Sequence, residues 1–278
     1  MDIEQINHWI EEPLRVEPEQ IENRFFRSFE NRRPEQITHD QLRRINIPEG
    51  RLGNELPRLV ERFGIEILAY YRPFHFHRPD RGWGIYLRGV GIAHVRQRLV
   101  DIANQEGVRI QGNNREAATA VARDILLLHE LRHHAIEIAF TRVELQTDTR
   151  DTFQRYHTRK RNRGDRILHH NTEAICNANV ANHIRTFITA WRPHHAPGPR
   201  ESTTFDWNDY VSQFMIHQPA GYSDFAQFTG LNYQQIFESL QLQVEHEFDL
   251  HQIKVDFKNH SDLKILRRFP VPIYFDQR

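Results

Sequence analysis

The alternation of apolar and polar positions divides the chain into a small number of elements. From Asn113 to about Glu144 no glycine or proline interrupts the run, and Ala118, Ala122, Ile125 and Ile136 recur at helical steps of three, four and eleven. This predicts one long helix with an inward stripe, and Asn113 followed three residues later by Glu116 is an N-cap signature. Upstream, GIEILAYY (64–71) and GWGIYLRG (82–89) place β-branched and aromatic residues between Gly and Pro, which predicts two strands joined by the loop RPFHFHRPDR. AHVRQRLVDIANQEG (93–107) predicts a short helix ending before Gly107. Downstream, residues 169–191 predict a second long helix, and 206–217 and 232–247 two more. Residues 1–60 read as polar helix broken by Pro13, Pro18, Pro34 and Pro48, and the Pro-rich 192–203 marks a boundary. The end, LKILRRFPVPIYFDQR, is extended, with Pro270 and Pro272 excluding a central strand. The expected organisation is an N-terminal helical region (1–60), a core (61–192) and a C-terminal helical region with an extended tail (204–278).

Two histidines, His129 and His133, fall on the apolar stripe of the long helix, four and eight residues beyond Ile125. With Glu130 they spell HExxH inside DILLLHELRHHAIEIAF (124–140). Positions i and i+4 share a helix face, so both imidazoles can hold one ion. Glu130 is offset by about 100° and can reach a water on that ion without being a ligand. Zinc lowers such a water's pKa toward about 7, and a carboxylate can take the proton. Chance supplies about 0.1 such matches at this composition. The competing explanation is a pair of hydrogen-bonded core histidines beside a solvated glutamate.

A catalytic zinc needs a third protein ligand. Glu173, forty residues beyond His133 on the next predicted helix, is the candidate, with His169 or His170 as rivals one turn earlier. Glu137 lies too far along the helix axis and is expected in a supporting or solvated position. Tyr156 and His169, between the two ligand segments, are the candidate transition-state donors, with His157 and His170 as alternatives. His134 is expected on the helix surface or behind a ligand. His75 and His77 alternate with Phe74 and Phe76 and read as a solvated strand edge. HEFDLH (246–251) spaces its histidines by five and is incidental, and His194 and His195 sit in a Pro-rich loop.

Composition narrows the setting. The chain has 278 residues, 38% of them apolar, and no run approaches the roughly 18 needed to span a membrane. One cysteine, Cys176, allows no internal disulfide, and the first twenty residues carry no secretory pattern, so a cytoplasmic setting is expected. Lys plus Arg and Asp plus Glu number 37 each, which argues against whole-molecule attraction to nucleic acid. The segment 150–166 holds seven Arg or Lys against Asp151 and Asp165 and reads as a solvated loop, with a patch for nucleic acid or an acidic substrate as the alternative.

HExxH followed by a downstream helix bearing Glu resembles the gluzincin class of zinc metallopeptidases. EAICNANVAN (173–182) is also similar to the ImmA/IrrE-like regulatory peptidases. The gluzincin resemblance spans about residues 60–190. It implies an α+β, zincin-like fold, mostly helical with a small mixed β-sheet, and one catalytic Zn2+ held by His129, His133 and Glu173 with Glu130 as the base. It also implies that Asn177 orients a zinc-binding histidine, where the class usually has Asp. A zincin edge strand pairs with the extended substrate, and GWGIYLRGVGI (82–92), whose glycines permit close approach of a chain, is the candidate. The expected activity is limited proteolysis of a specific protein or peptide partner, with a nucleic-acid-associated metalloprotein or an inactive zincin interaction module as alternatives.

Overall fold

The structure is a computed structural model. It describes residues 35–45, 47, 55–77, 82–108, 110, 113–147, 149, 151–161, 166–190, 207–231, 235–236, 239–240 and 271–276. The expectations for residues 1–34, for 192–203 with His194 and His195, for HEFDLH and for most of 232–247 lie outside them. The described part is mostly helical with one mixed four-stranded sheet, an α+β arrangement. In chain order the elements are β1 (Glu35–Ile37), α1 (His39–Arg44), α2 (Glu55–Phe63), a 3-10 turn (Gly64–Ile67), β2 (Ala69–Arg72), β3 (Gly84–Arg88) and α3 (Gly89–Gln105). Then follow α4 (Asn113–Thr147), α5 (Thr152–Arg161), α6 (Arg166–Ala190), α7 (Trp207–Ile216), a second 3-10 segment (Tyr222–Phe228) and β4 (Ile273–Asp276). No helix among the described residues is long and apolar enough to cross a membrane.

The sheet order is β1-β4-β3-β2, with β4 parallel to β3 and antiparallel to β1. The C-terminal tail therefore supplies an interior strand, against the expectation that its prolines forbid one. Both prolines precede the paired residues, and Pro272 contributes its carbonyl, which accepts from the Ile85 N–H at 2.9 Å. The missing amide of a proline matters only where a donor is required. A strand also appears at 35–37, in the region read as helical.

The segment 82–92 is likewise not an edge. β3 pairs with β2 on one side and β4 on the other, so it has no free backbone for a substrate. Its glycines admit the protein's own chain. A Cβ on Gly84 (φ 138°) would stand 2.5 Å from the Pro272 carbonyl oxygen, and one on Gly91 would collide with the Leu68 carbonyl. Gly89 and Gly91 begin α3, four residues before its expected start.

α4 is buried on nearly every side: it packs on α3 and α6, and lies against β2 and β3. Ile125, Leu126, Leu127 and Leu128 are all fully buried, so no clean polar face exists over this stretch. A helix apolar all round belongs in a core, and truncating Leu127 to alanine would cost about 2–5 kcal/mol. α6 is covered by α4, α7 and the second 3-10 segment. The segment expected as a basic loop is α5, because Phe153 and Tyr156 form a buried stripe that docks it on α4 and α6.

Candidate metal centre

The crossing of α4 and α6 brings the HExxH motif against Glu173. His129 Nε2 stands 3.1 Å and His133 Nε2 3.4 Å from the same oxygen, Glu173 Oε2. Two donors at about 2.0–2.1 Å from a tetrahedral ion lie about 3.3 Å apart, and both His–Glu173 separations are close to that spacing. Cys176, one turn beyond Glu173, places Sγ 3.5 Å from His133 Nε2, and His129, His133 and Cys176 offer donor atoms within 4.8 Å of one another. A thiolate is therefore a second candidate for the third ligand.

Hydrogen bonds decide the tautomer of His129. Asn177 Nδ2 donates to the Tyr222 carbonyl at 2.9 Å, which leaves Asn177 Oδ1 to accept from His129 Nδ1–H at 2.9 Å. Nε2 then faces a carboxylate with its lone pair, and a cation between them, proton or metal, resolves the repulsion. Burial opposes the charge of His129, but Glu173 and Glu130 raise its pKa. His133 is the opposite case: burial, helped by the nearby Lys160 ammonium, lowers it to about 4 and leaves a neutral imidazole. Glu173 is ionised. Burial works against its charge, but Lys160 and His133 hold its pKa well below the ordinary value. Neutral imidazole and ionised carboxylate are the forms that bind metal.

Lys160 carries that effect directly, since its Nζ lies 2.7 Å from Glu173 Oε1 and 3.6 Å from Glu66 Oε1. Its side chain is 12% exposed, and although burial opposes the charge, Glu173 and Glu66 hold its pKa above the ordinary lysine value. The solvated-loop expectation for the basic segment fails most clearly at this residue. Lys160 continues the buried stripe of Phe153 and Tyr156 at steps of three and four, which was its only signal in the sequence.

Glu130 is buried, and among the described residues neither of its oxygens has a hydrogen-bond partner. Burial, with Glu173 and Glu66 nearby, raises its pKa to about 8 despite the attraction of His129. A buried carboxylate without a donor is costly. A metal centre with its water removes that cost, so the residues present fit a bound ion.

The remaining candidates are placed as follows. His169 Nδ1 is 3.8 Å from Glu173 Oε1, beside the site and on the side away from the motif histidines. Tyr156 is buried and stacks on Phe140, with its hydroxyl 2.9 Å from Thr172 Oγ1. Thr172 itself donates to the Leu168 carbonyl, so Tyr156 donates to Thr172. His170 packs on Gly221. Tyr222, which had no sequence signal, lays its ring 6.1 Å from His129.

Further along α4 lies a second polar cluster that corrects the expectation for His75. It is no solvated edge: its Nδ1 and Nε2 bond Glu137 Oε1 and Glu144 Oε2 at 2.6 and 2.9 Å. Glu137 is fully buried, so its solvated alternative fails too, and it accepts from the Phe74 and His75 amides and the Tyr71 hydroxyl. His134 is buried as well, with Nδ1 2.7 Å from the Tyr71 hydroxyl. No family model, no curated protein and no solved structure matches the chain.

Proposed function

We propose that the chain is a zincin-like, gluzincin-type zinc metallopeptidase that cleaves a peptide bond in a specific protein partner in the cytoplasm. The observation that carries this is the approach of His129 and His133 to the same oxygen of Glu173, at 3.1 and 3.4 Å, beside a buried glutamate with no hydrogen-bond partner among the described residues. A lone free cysteine is in keeping with a reducing compartment.

His129 and His133 would hold the ion, with Glu173 as third donor. When bound, zinc supplies a Lewis acid that polarises the scissile carbonyl and makes water acidic near neutral pH. The chain's own groups do the rest. Asn177 keeps His129 in the tautomer whose Nε2 is bare. Lys160 neutralises the far oxygen of Glu173 and leaves the near one for the ion. Glu130 accepts the proton of the attacking water and returns it to the leaving amine nitrogen.

Elemental analysis of the purified protein is expected to find one zinc per chain, lost in Glu173→Ala and retained in Cys176→Ala. Glu130→Gln is expected to retain zinc and to lower cleavage of a protein or peptide substrate by about 10²–10⁴-fold. Full activity in Glu130→Gln, or no metal in the wild-type protein, would sink the proposal. Loss of zinc in Cys176→Ala alone would transfer the third-ligand role to the thiol.

A further inference from the structure

Glu173 presents its two oxygens to different surroundings. Oε2 faces the two motif imidazoles, while Oε1 faces Lys160 and His169. Glu66, His169 and Glu173 offer three donor atoms within 4.8 Å of one another, a set suited to a divalent ion. A cation already stands against both carboxylates, since Lys160 Nζ lies 2.7 Å from Glu173 Oε1 and 3.6 Å from Glu66 Oε1. A carboxylate that turns one oxygen to each of two cations is the bridging ligand of a two-metal site, where the ions stand about 3.5–4 Å apart.

We infer that the Lys160 ammonium stands in the second cation position of a carboxylate-bridged pair, so that this centre holds one divalent ion and excludes a second. This rests on the proposed metal centre and adds the reason for its nuclearity. Lysine offers a single charge on a tether and cannot coordinate water as a Lewis acid does. It therefore neutralises Glu173 without making a second reactive centre, and it keeps Glu173 bound to the ion through one oxygen. Lys160 is thus a positioning residue. Its removal leaves Glu66, His169 and the far oxygen of Glu173 facing one another with no cation between them.

The test uses the full chain loaded with Mn2+, with ions counted by equilibrium dialysis and elemental analysis and their coupling read by electron paramagnetic resonance. Wild-type protein is expected to bind one ion with an uncoupled spectrum. Lys160→Ala is expected to bind two and to show an exchange-coupled signal, which ions scattered on surface histidines do not produce. Adding Glu66→Gln to Lys160→Ala is expected to restore one uncoupled ion. Lys160→Ser, which leaves room for a water on Glu173, replaces the alanine variant if circular dichroism shows that form to be unfolded. One uncoupled ion in the folded lysine variants overturns the inference while leaving the metal centre standing. No ion in the wild-type protein or in any variant overturns both.

Discussion

Two buried glutamates at the centre differ in what surrounds them. Glu173 has Lys160 on one oxygen and two imidazoles on the other, and it is ionised. Glu130, one residue from His129, has no hydrogen-bond partner among the described residues, and burial lifts it to about 8. The proposed ligand and the proposed base are thus separated by environment, as two carboxylates must be when one binds a cation and the other moves a proton. Asn177 is the residue on which the ligand geometry turns, because its amide is held by the Tyr222 carbonyl and can only accept from His129. Asn177→Ala is expected to weaken zinc about 10–100-fold, the usual cost of losing a group that orients a ligand. Asn177→Asp, which still accepts, is expected to keep most of the affinity. Competition with a chromophoric chelator measures both, and equal affinities for wild type and the alanine variant would remove Asn177 from the account.

At the scale of the element, α4 carries two polar sites one after the other: the candidate metal ligands on its middle turns and the His75 cluster beyond them. The second fastens the loop after β2 to the helix, since Glu137 takes the amides of Phe74 and His75 while Glu144 takes that of Phe153. Burial alone would discharge His75, but its bonds to Glu137 and Glu144 raise its pKa to about 9. A histidine whose folded value is raised lends stability that is complete below its unfolded pKa of 6.5 and is lost as pH rises through 9. Stability is expected to fall by about 3 kcal/mol over that window, and His75→Gln is expected to abolish this dependence. Urea titrations at several pH values measure it, and an unchanged pH profile in His75→Gln would contradict the assignment. HExxH was legible because i and i+4 must share a face whatever the fold. So was Glu173, as the carboxylate of the next long helix. The His75 partners were not legible, because Glu137 and Glu144 lie more than sixty residues away and only the fold supplies the pairing. Asn179 shows the same limit, since it serves the α4 backbone at the Leu128 carbonyl and looks unpatterned in the chain.

Across the whole molecule, the sheet joins segments that the sequence places in three regions. β1 comes from residues 1–60, β2 and β3 from the core, and β4 from the far end of the chain. β4 lies between β1 and β3, so without it β1 loses its partner and β3 gains an open edge. The tyrosines Tyr70, Tyr86 and Tyr274 stack across β2, β3 and β4 at 4.8 and 4.6 Å, tying the tail to the core through side chains as well as backbone. On the other side, α6 is covered by the segment 222–228, whose Tyr222 carbonyl also holds Asn177. Residues 61–192 alone would therefore expose the interior edge of β3 and the buried length of α6, and release the Asn177 amide that orients His129. Expressed as a fragment, they are expected to show no cooperative thermal transition and no tight zinc, whereas the full chain shows both. An unpaired interior strand favours association, so the fragment is also expected to self-associate in sedimentation. A fragment that melts cooperatively as a monomer and holds one zinc would mean that the core folds alone and that the tail strand is dispensable to the metal centre.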